Sequence, residues 1–394
     1  MFDNNSLSEQ YQSNLTIKID GQEISENLKE DILQVIVEES MYVPSMCVIA
    51  FQNELASGAT KDRQWRHQDT MKIGKELSVS FKSVTTEVFG GESNYKEVFK
   101  GRVVAVQVPF SKKAQAPIIL RAYDNSYPLH LGSRTRSFLN KTDSEIVKDI
   151  VSEAGLKIGE IQETEKTDRA ESPNQERYVC QANMTDMEFL LLLARRNGFE
   201  FFIREDKVYF RSPNDRESID MTWLSGRGDG GSQRAKNIID DITVSQTAGG
   251  QVPQIEVRAW DYKNKQLISS LSNKQKNVVT NLPNNINPEG DRVAAKLGGN
   301  SSERVLSIVD FPVNSIEEAE NLAQAFCDEI RGQYVQGDAE CEGNPEIWPG
   351  KAVVLDDNNS SNNNNMGGYK GKYYVTQTRH IFQPGRERVY TTEF

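Results

Sequence analysis

One block of the sequence occurs twice at a constant spacing, and this repeat constrains the fold more than any other feature. Residues 31–51 align without a gap with residues 240–260, an offset of 209 positions (240 minus 31). The matches fall on strand-forming positions, for example Val48 with Val257. A repeat of this kind predicts an internal duplication, in which one chain builds the same β unit twice.

A second set of matches follows in the same order. Gly74-Lys75 precedes an apolar run, as Gly350-Lys351 does, and each run leads through a polar loop into a long strand. The sequence predicts equivalent loops at 84–95 and 356–369, followed by long strands at 97–108 and 372–382. The offset here is about 276 (350 minus 74), so the second copy carries an insertion of about 67 residues. One amphipathic helix is predicted in it, at 315–331.

Between the two copies the hydrophobic period changes from that of strands to that of helices. Helices are predicted at 142–154 and 185–197, because each begins with a Thr, carries a Glu three residues later and ends before a Gly. An aromatic-rich hairpin follows at 199–211. No convincing amphipathic helix precedes residue 140, and that part of the chain alternates apolar and polar residues as strands do.

These patterns predict a fold that is mainly β with an α/β insert. The first β unit covers 12–125, the small α/β domain covers 126–235, and the second β unit covers 236–394 with a helical insertion at about 266–345. Each β unit is expected to be a barrel or a sandwich.

The charge and the apolar runs argue against two classes of partner. The net charge is −11, and an acidic chain repels nucleic-acid phosphates and anionic lipid surfaces. The longest apolar run has six residues, 189–194, whereas a membrane-spanning helix needs about 20. The N-terminus has no basic region followed by an apolar run, so we expect synthesis in the cytoplasm without a secretion signal.

Motifs that carry chemistry are not evident. The three histidines and four cysteines are scattered, and no nucleophile frame or metal-ligand spacing is present. Arg227-Gly228-Asp229 lies in a Gly-rich linker, and the Asn-rich stretch 356–368 lacks the glutamate that a calcium loop needs. The sequence therefore predicts no catalytic residues, no cofactor and no metal site.

Several segments resemble the phage late control D family, which contains the tail hub proteins of contractile phages and the hub part of VgrG-type spike proteins. The resemblance extends over roughly 15–394. The segments are EVFKGRVVAVQVPF and IILRAYD within 97–124, LNKTDSEIVKDIVSEAGL at 139–156, RYVCQANMTDMEFLLLLARRNGFEFFIREDKVYFRSP at 177–213, VRAWDYKNKQLI at 257–268, and PGKAVVL, YYVTQTRHIF and RVYTTEF within 349–394.

The resemblance implies a structural baseplate hub of a contractile injection system or phage tail, and no enzyme. Each copy of the repeat would be a tube-like β-barrel, and a homotrimer would present six barrels. Its partners would be the spike protein on one side, the hexameric inner tube protein on the other, and other baseplate proteins, with no nucleic acid and no direct membrane insertion. The chain would be made in the bacterial cytoplasm and then become part of the particle. It stops about where the spike begins in VgrG-type proteins, so we expect a separate spike polypeptide.

Two other functions remain open at this point. A peptidoglycan-degrading hub enzyme would clear a cell-wall zymogram, although the largest insertion shows no lysozyme-like pattern. A carbohydrate-binding β-sandwich protein would bind glycans as a stable monomer.

Overall fold

The structure is a computed structural model of the chain. It describes residues 15–52, 67–82, 95–109, 117–164, 178–214, 218–223, 237–262, 264–276, 293, 296, 304–311, 313, 315–357, 366–386 and 388–394. The loops that were predicted to be equivalent, 84–95 and 356–369, lie largely outside these residues.

The described elements are mainly strands, as the sequence predicted, with helices concentrated after residue 140. The first region contains β1 (Leu15–Ile19), β2 (Gln22–Glu23), α1 (Glu26–Glu30), β3 (Ile32–Ser40), β4 (Met46–Phe51), β5 (Glu76–Phe81), β6 (Lys96–Gln107) and β7 (Ile118–Asp124). The middle region contains a 3₁₀ turn (Tyr127–His130), β8 (Arg134–Leu139), α2 (Asp143–Glu153), β9 (Lys157–Ile161), β10 (Tyr178–Met184), α3 (Asp186–Arg196), β11 (Glu200–Arg204) and β12 (Lys207–Arg211).

The last region contains β13 (Ser218–Trp223), β14 (Ile238–Gln246), β15 (Gln254–Asp261), β16 (Gln266–Ser272), β17 (Val305–Ile308), α4 (Ile316–Gly332), β18 (Val335–Glu342), β19 (Ala352–Asp356), a 3₁₀ turn (Gly367–Tyr369), β20 (Gly371–Tyr374), β21 (Gln377–Phe382) and β22 (Tyr390–Glu393). The long strand predicted at 372–382 is interrupted at Val375-Thr376, which separates β20 from β21.

One sheet of 14 strands runs through both β regions, in the order β2-β1-β5-β6-β7-β4-β3-β21-β22-β18-β14-β13-β19-β20. The closed barrels that the sequence analysis expected are not found among the described residues, because β3 at the end of the first half pairs with β21 of the second. The second half comes nearest to a closed barrel. Its two end strands, β20 and β21, follow each other directly along the chain.

The two halves of this sheet share a strand order. The first half contains the run β5-β6-β7-β4-β3. The second half contains the corresponding run β19, then β20 and β21 together, then β22-β18-β14, because β20 and β21 occupy the position of the single long strand β6. Every neighbouring pair in both runs is antiparallel. We call strands at the same place in the two runs counterparts.

Backbone hydrogen bonds fix the alignment of one pair of counterparts. Gly74 N donates to Val103 O (2.8 Å) and Val103 N to Lys75 O (2.9 Å). Gly350 N likewise donates to Val375 O (2.9 Å), and Val375 N donates to Lys351 O (2.9 Å). Val103 of β6 therefore corresponds to Val375, an offset of 272 (375 minus 103).

A β-bulge fixes the other pair and corrects the sequence alignment. The register of β3 on β4 shifts between Ile32 and Gln34, and that of β14 on β18 shifts between Ile239 and Asp241. The counterpart offset is therefore 207 (239 minus 32), two residues less than the predicted 209. A slip of two leaves every side chain on the same face, so the apolar pattern could not reveal it.

The counterpart of β4 is also corrected. The repeat had paired β4 with β15, but β15 lies in a separate three-stranded sheet, β16-β15-β17, on which α4 packs. β18 takes the place beside β14 instead. β15 buries alternate apolar residues against α4, and this period resembles that of β4 without sharing its position.

The middle region forms its own apolar core, as predicted. Both helices have the predicted capping boxes, in which the side chains of Thr142 and Thr185 accept from the backbone N–H of Glu145 and Glu188. Their buried faces meet the β11–β12 hairpin. The short helix α1 was not predicted, because a single turn that buries only Leu28 gives no periodic signal.

Candidate assembly surface

The pairing of β3 with β21 joins the two halves of the large sheet, and we call it the seam. Six residue pairs are in register, from Gln377 opposite Ser40 to Phe382 opposite Val35. On the more exposed face Arg379 Nε lies 3.2 Å from a carboxylate oxygen of Glu38. On the other face the side chains are buried among the first core.

Buried polar side chains lie inside the seam. Thr378 Oγ1 donates a 3.2 Å hydrogen bond to Glu39, and His380 Nε2 lies 3.5 Å from the same carboxylate oxygen. His380 Nδ1 is 3.0 Å from the Tyr390 hydroxyl and 3.1 Å from Thr392 Oγ1. Burial raises the pKa of Tyr390 well above its usual value. Thr378 and Nδ1 of His380 thus have polar partners inside the seam, whereas Nε2 of His380 has no hydrogen-bond partner among the described residues. The contacts that are made favour the observed register of the seam.

Arg204, at the end of β11, connects the α/β insert to the seam. It is only 7% exposed, and its guanidinium carbon lies 4.3 Å from the centroid of the Trp348 ring. Burial on its own raises the pKa of Glu39, but the positive charge of Arg204 and the contacts with His380 and Thr378 outweigh it and leave the pKa lowered. Glu39 is therefore ionised at neutral pH and depends on Arg204 for compensation. Among the described residues Nη1 and Nη2 of Arg204 have no hydrogen-bond partner.

A second contact between the insert and the large sheet lies at Glu200. Arg211 Nε donates to Glu200 (3.0 Å), and Tyr374 of β20 donates its hydroxyl to the same carboxylate. Burial raises the pKa of Glu200, although both of these hydrogen bonds lower it. Gly350 is required beside this contact, because it has a φ of +101° and a Cβ there would lie 2.8 Å from the Phe202 ring.

The counterparts of the two seam strands have open edges. Residues 105–107 of β6 pair with β7 on one side, and residues 241–246 of β14 pair with β18 on one side. Within the described ranges no strand pairs with the opposite edge of either segment. We call these two edges the open edges. The seam positions Val37 and His380 are fully buried, whereas their counterparts Val244 and Val108 are half-buried.

The composition of the open edges is unusual for strands that face water. Residues 104–108 read VAVQV, and the last six residues of β14 with the next two read DITVSQTA. Exposed edges are normally protected by Lys, Pro or other charged residues. Apart from Asp241 these segments carry no charge, and the β6 segment is mostly Val. They have the composition of strands that are paired.

The outer face of the three-stranded sheet is a further apolar surface. Trp260 of β15 and Leu267 of β16 are directly opposite each other, and Leu271 lies on the same face. These three side chains are about 60% exposed, while Glu256 and Arg258 between them form an ion pair of 2.7 Å.

Side chains that ligate metals do not cluster in the described part of the chain. No group of three or more His, Cys, Asp or Glu residues that could hold a metal ion occurs there. Of the described helices, none has the length and apolar character to cross a membrane. From the sequence, the long strands at 97–108 and 372–382 were already the candidate edges for pairing between β units, but the partner strand β3 and the open edge of β14 were missed. Their signal is strand pairing between distant segments, which periodicity does not contain.

The sequence matches one protein family over most of its length. The Alg8 N-terminal domain family matches residues 9–383. The chain belongs to this family. No curated protein is similar to the chain in sequence.

Solved structures identify the fold of this Alg8 N-terminal domain chain. The 43 kDa tail protein of prophage MuSo2 from Shewanella oneidensis is similar with a TM-score of 0.62 at 12% identity, covering 96% of both chains. A tail protein from Neisseria meningitidis MC58 is similar with a TM-score of 0.60 at 11% identity, covering 96% of this chain and 94% of the other. A type VI secretion component from E. coli is less similar, with a TM-score of 0.47 at 13% identity, covering 96% of this chain and 75% of the other.

The first two similarities show that the chain has the fold of phage tail proteins. The expectation of a tail-protein fold is therefore supported at this coarse level, but the similarities do not show the tube-like barrels that the late control D motifs implied. Membership of the late control D family stays a prediction, since the matching family is a different one.

Proposed function

We propose that the chain is a structural baseplate hub of a phage tail or contractile injection system. Three copies would form a ring of six similar β units, which would join a threefold spike to the sixfold inner tube. The partners would be the spike protein, the hexameric tube protein and other baseplate proteins, and the assembled particle would be the site of action. No catalysis is part of this role.

The observation that carries the proposal is the equivalence of the two halves of the large sheet. Five strand positions recur in the same order with the same antiparallel sense, and the bonds at Gly74 and Gly350 and the bulges in β3 and β14 recur with them. Such equivalence supports two copies of one unit. Two units per chain convert a threefold assembly into a six-unit ring, which a monomeric binding protein or an enzyme does not need.

The seam supports the same role. It holds the two units in one fixed relation through six paired residues and buried polar contacts. Arg204 of the insert stacks on Trp348, and its charge lowers the pKa of Glu39 in the seam. A hub that passes force from a contracting sheath to a spike needs this kind of rigid internal joint. The tail-protein fold of the two similar structures supports the proposal at the level of architecture.

The mass of the assembled chain tests this proposal. The chain is co-expressed with the spike protein of its own particle, and the purified complex is measured by light scattering before and after removal of the spike. We expect three copies of the 44.5 kDa chain, about 134 kDa without the spike. A monomer, or a dimer with a twofold axis, in the presence of the spike would overturn it. A zymogram on peptidoglycan separates the hub from a wall-degrading enzyme, and we expect no clearing.

A further inference from the structure

The two open edges are complementary to each other in the same way as the two strands of the seam. In the seam, β3 of the first unit pairs with β21 of the second unit. The counterpart of β3 is β14, and the described counterparts of β21 are residues 105–109, which comprise the end of β6 and the two residues after it. Each counterpart has its corresponding edge open within the described residues.

We propose that the open edge of β14 pairs with the open edge of β6 in a second copy of this chain. The contact between chains would repeat the seam within the chain, so every unit in the ring would meet its neighbours through the same kind of strand pair. This inference rests on the proposed trimeric hub and names its subunit interface.

The seam also gives the register of the new pair. Glu38 pairs with Arg379 and Glu39 with Thr378. The β3 residue of each pair plus 207 gives its counterpart in β14, and the β21 residue minus 272 gives its counterpart in β6. The pair Glu38–Arg379 therefore corresponds to Ser245–Gln107, and the pair Glu39–Thr378 corresponds to Gln246–Val106. The next pair, Val244 opposite Val108, is the counterpart of Val37 opposite His380.

Backbone directions agree with this register. Thr247 N donates to Tyr334 O on the β18 side, and alternate residues of a strand direct their N–H groups to the same side. Ser245 therefore faces β18, and Val244, Gln246 and Ala248 direct their backbone groups to the open edge. In the seam Met41 N donates to Thr376 O (3.3 Å), and the corresponding bond would run from Ala248 N to Val104 O.

Side-chain chemistry favours a second copy as the occupant. The seam carries ion pairs and buried polar groups, whereas the proposed contact brings together Val, Ser, Gln, Thr and Ala side chains. Both edges carry almost no charge, so their approach meets no repulsion even though each chain has a net charge of −11. Pairing would bury the half-buried Val106 and Val108 and would satisfy the open backbone groups of both strands.

Repeating this contact from chain to chain gives an assembly without free edges only when the chains form a ring. β14 and β6 are different surfaces, so each chain offers one of each to its two neighbours. This head-to-tail contact forms a ring when the rotation closes and a filament when it does not. Each chain supplies two units, so a ring of three chains contains six units in which three seams alternate with three contacts between chains.

Disulfide trapping tests the register directly. Ser245 and Gln107 are both exposed. In the proposed register they form a non-hydrogen-bonded pair, whose Cα atoms lie about 4.5 Å apart, within the range of a disulfide. The variant carries Gln107→Cys and Ser245→Cys in a Cys180→Ser background, because Cys180 is the exposed native cysteine and the other three are buried. The matched control replaces Ser245→Cys with Thr243→Cys, which moves the thiol about 7 Å along the same face.

We expect mild oxidation of the co-expressed complex to give covalent dimers and trimers on a non-reducing gel for the Ser245 variant and monomers for the Thr243 control. A trimer by light scattering that gives no cross-link with Ser245→Cys, or that cross-links only with Thr243→Cys, would overturn the proposed pairing while leaving the trimeric hub intact. A monomer in the presence of the spike would overturn the hub and the interface together.

Discussion

At the scale of single residues, the seam depends on a buried carboxylate that is compensated mainly by one arginine. Glu39 keeps a lowered pKa despite complete burial, and the Arg204 charge is the largest influence that lowers it. Removing one partner of buried opposite charges typically costs about 3–5 kcal/mol, because the other charge stays buried without compensation. Arg204 thus links the stability of the insert to the stability of the seam.

We expect Arg204→Met to lower the free energy of unfolding by about 3 kcal/mol at pH 7. Glu39 in the native protein has a lowered pKa, so its contribution is complete above the unfolded value and is lost as the pH falls through the folded value. In the variant the pKa of Glu39 should rise above the unfolded value, so the deficit should shrink between pH 7 and pH 5. Urea unfolding at both pH values measures this.

The control is Lys72→Met, since Lys72 forms an ion pair with Asp69 in which both side chains are exposed, and this pair should contribute little. An equal deficit at both pH values in Arg204→Met would show that packing on Trp348, and not the charge on Glu39, accounts for the effect.

A second prediction for a single residue concerns Gly101 of β6, which lies very close to the backbone of β7. Gly101 pairs with both Leu77 of β5 and Asp124 of β7, and a Cβ on it would lie 2.0 Å from the Tyr123 carbonyl oxygen. We expect Gly101→Ala to separate these strands and to cost about 1–3 kcal/mol in thermal or urea unfolding. Gly332→Ala, at the end of α4, meets nothing within 4 Å and should leave stability unchanged or raise it by about 0.4–1 kcal/mol. Similar losses in both variants would contradict the steric explanation.

At the scale of elements, local signals predicted well and long-range pairing did not. The capping boxes of α2 and α3, the β11–β12 hairpin and the helix α4 follow from short patterns, and the structure contains them. The offset of the repeat was wrong by two residues, and β15 was placed where β18 lies. Both errors arise because strand periodicity specifies a face and leaves the neighbour unspecified.

The buried polar contacts of the seam could not be predicted for the same reason. Glu39 and His380 are more than 300 residues apart in the chain, and each looks like an ordinary strand residue in its own segment. Only the pairing of β3 with β21 brings them together.

The core of the α/β insert yields a prediction for helix α3. Leu190 is completely buried between α2, α3 and the hairpin. We expect Leu190→Asp to unfold the insert, because an unpaired charge would enter an apolar core. Ala182→Asp places the same charge on an exposed position of β10 and should leave the fold intact. Circular dichroism and limited proteolysis compare the two variants, and a folded Leu190→Asp protein would contradict this view of the core.

The open edge of β6 yields a prediction for assembly. Val106 corresponds to Thr378, so its N–H should face the open edge, whereas the N–H of Gln107 should face β7. We expect Val106→Pro to keep a folded monomer and to abolish the trimer, because proline is tolerated where a strand N–H faces away from its partner. Gln107→Pro should destabilise the monomer itself. Thermal unfolding and light scattering distinguish these outcomes, and a stable trimer of Val106→Pro would exclude this edge from the interface.

In the whole molecule, the repeated halves of the chain correspond to the repeated units of the proposed ring. The halves of the sheet are equivalent in order and register, the seam fixes one contact between units, and the open edges supply the corresponding contact to another chain. The exposed face around Trp260 and Leu267 lies apart on the three-stranded sheet and has no assigned role in this scheme.

The most direct measurement is cryo-electron microscopy of the chain co-expressed with its spike and tube proteins. We expect a threefold ring of six similar β units between spike and tube, in which the strand ladder passes from β14 of each chain to β6 of the next. A particle in which the chain is monomeric or forms a twofold dimer would show that the chain is not a trimeric hub.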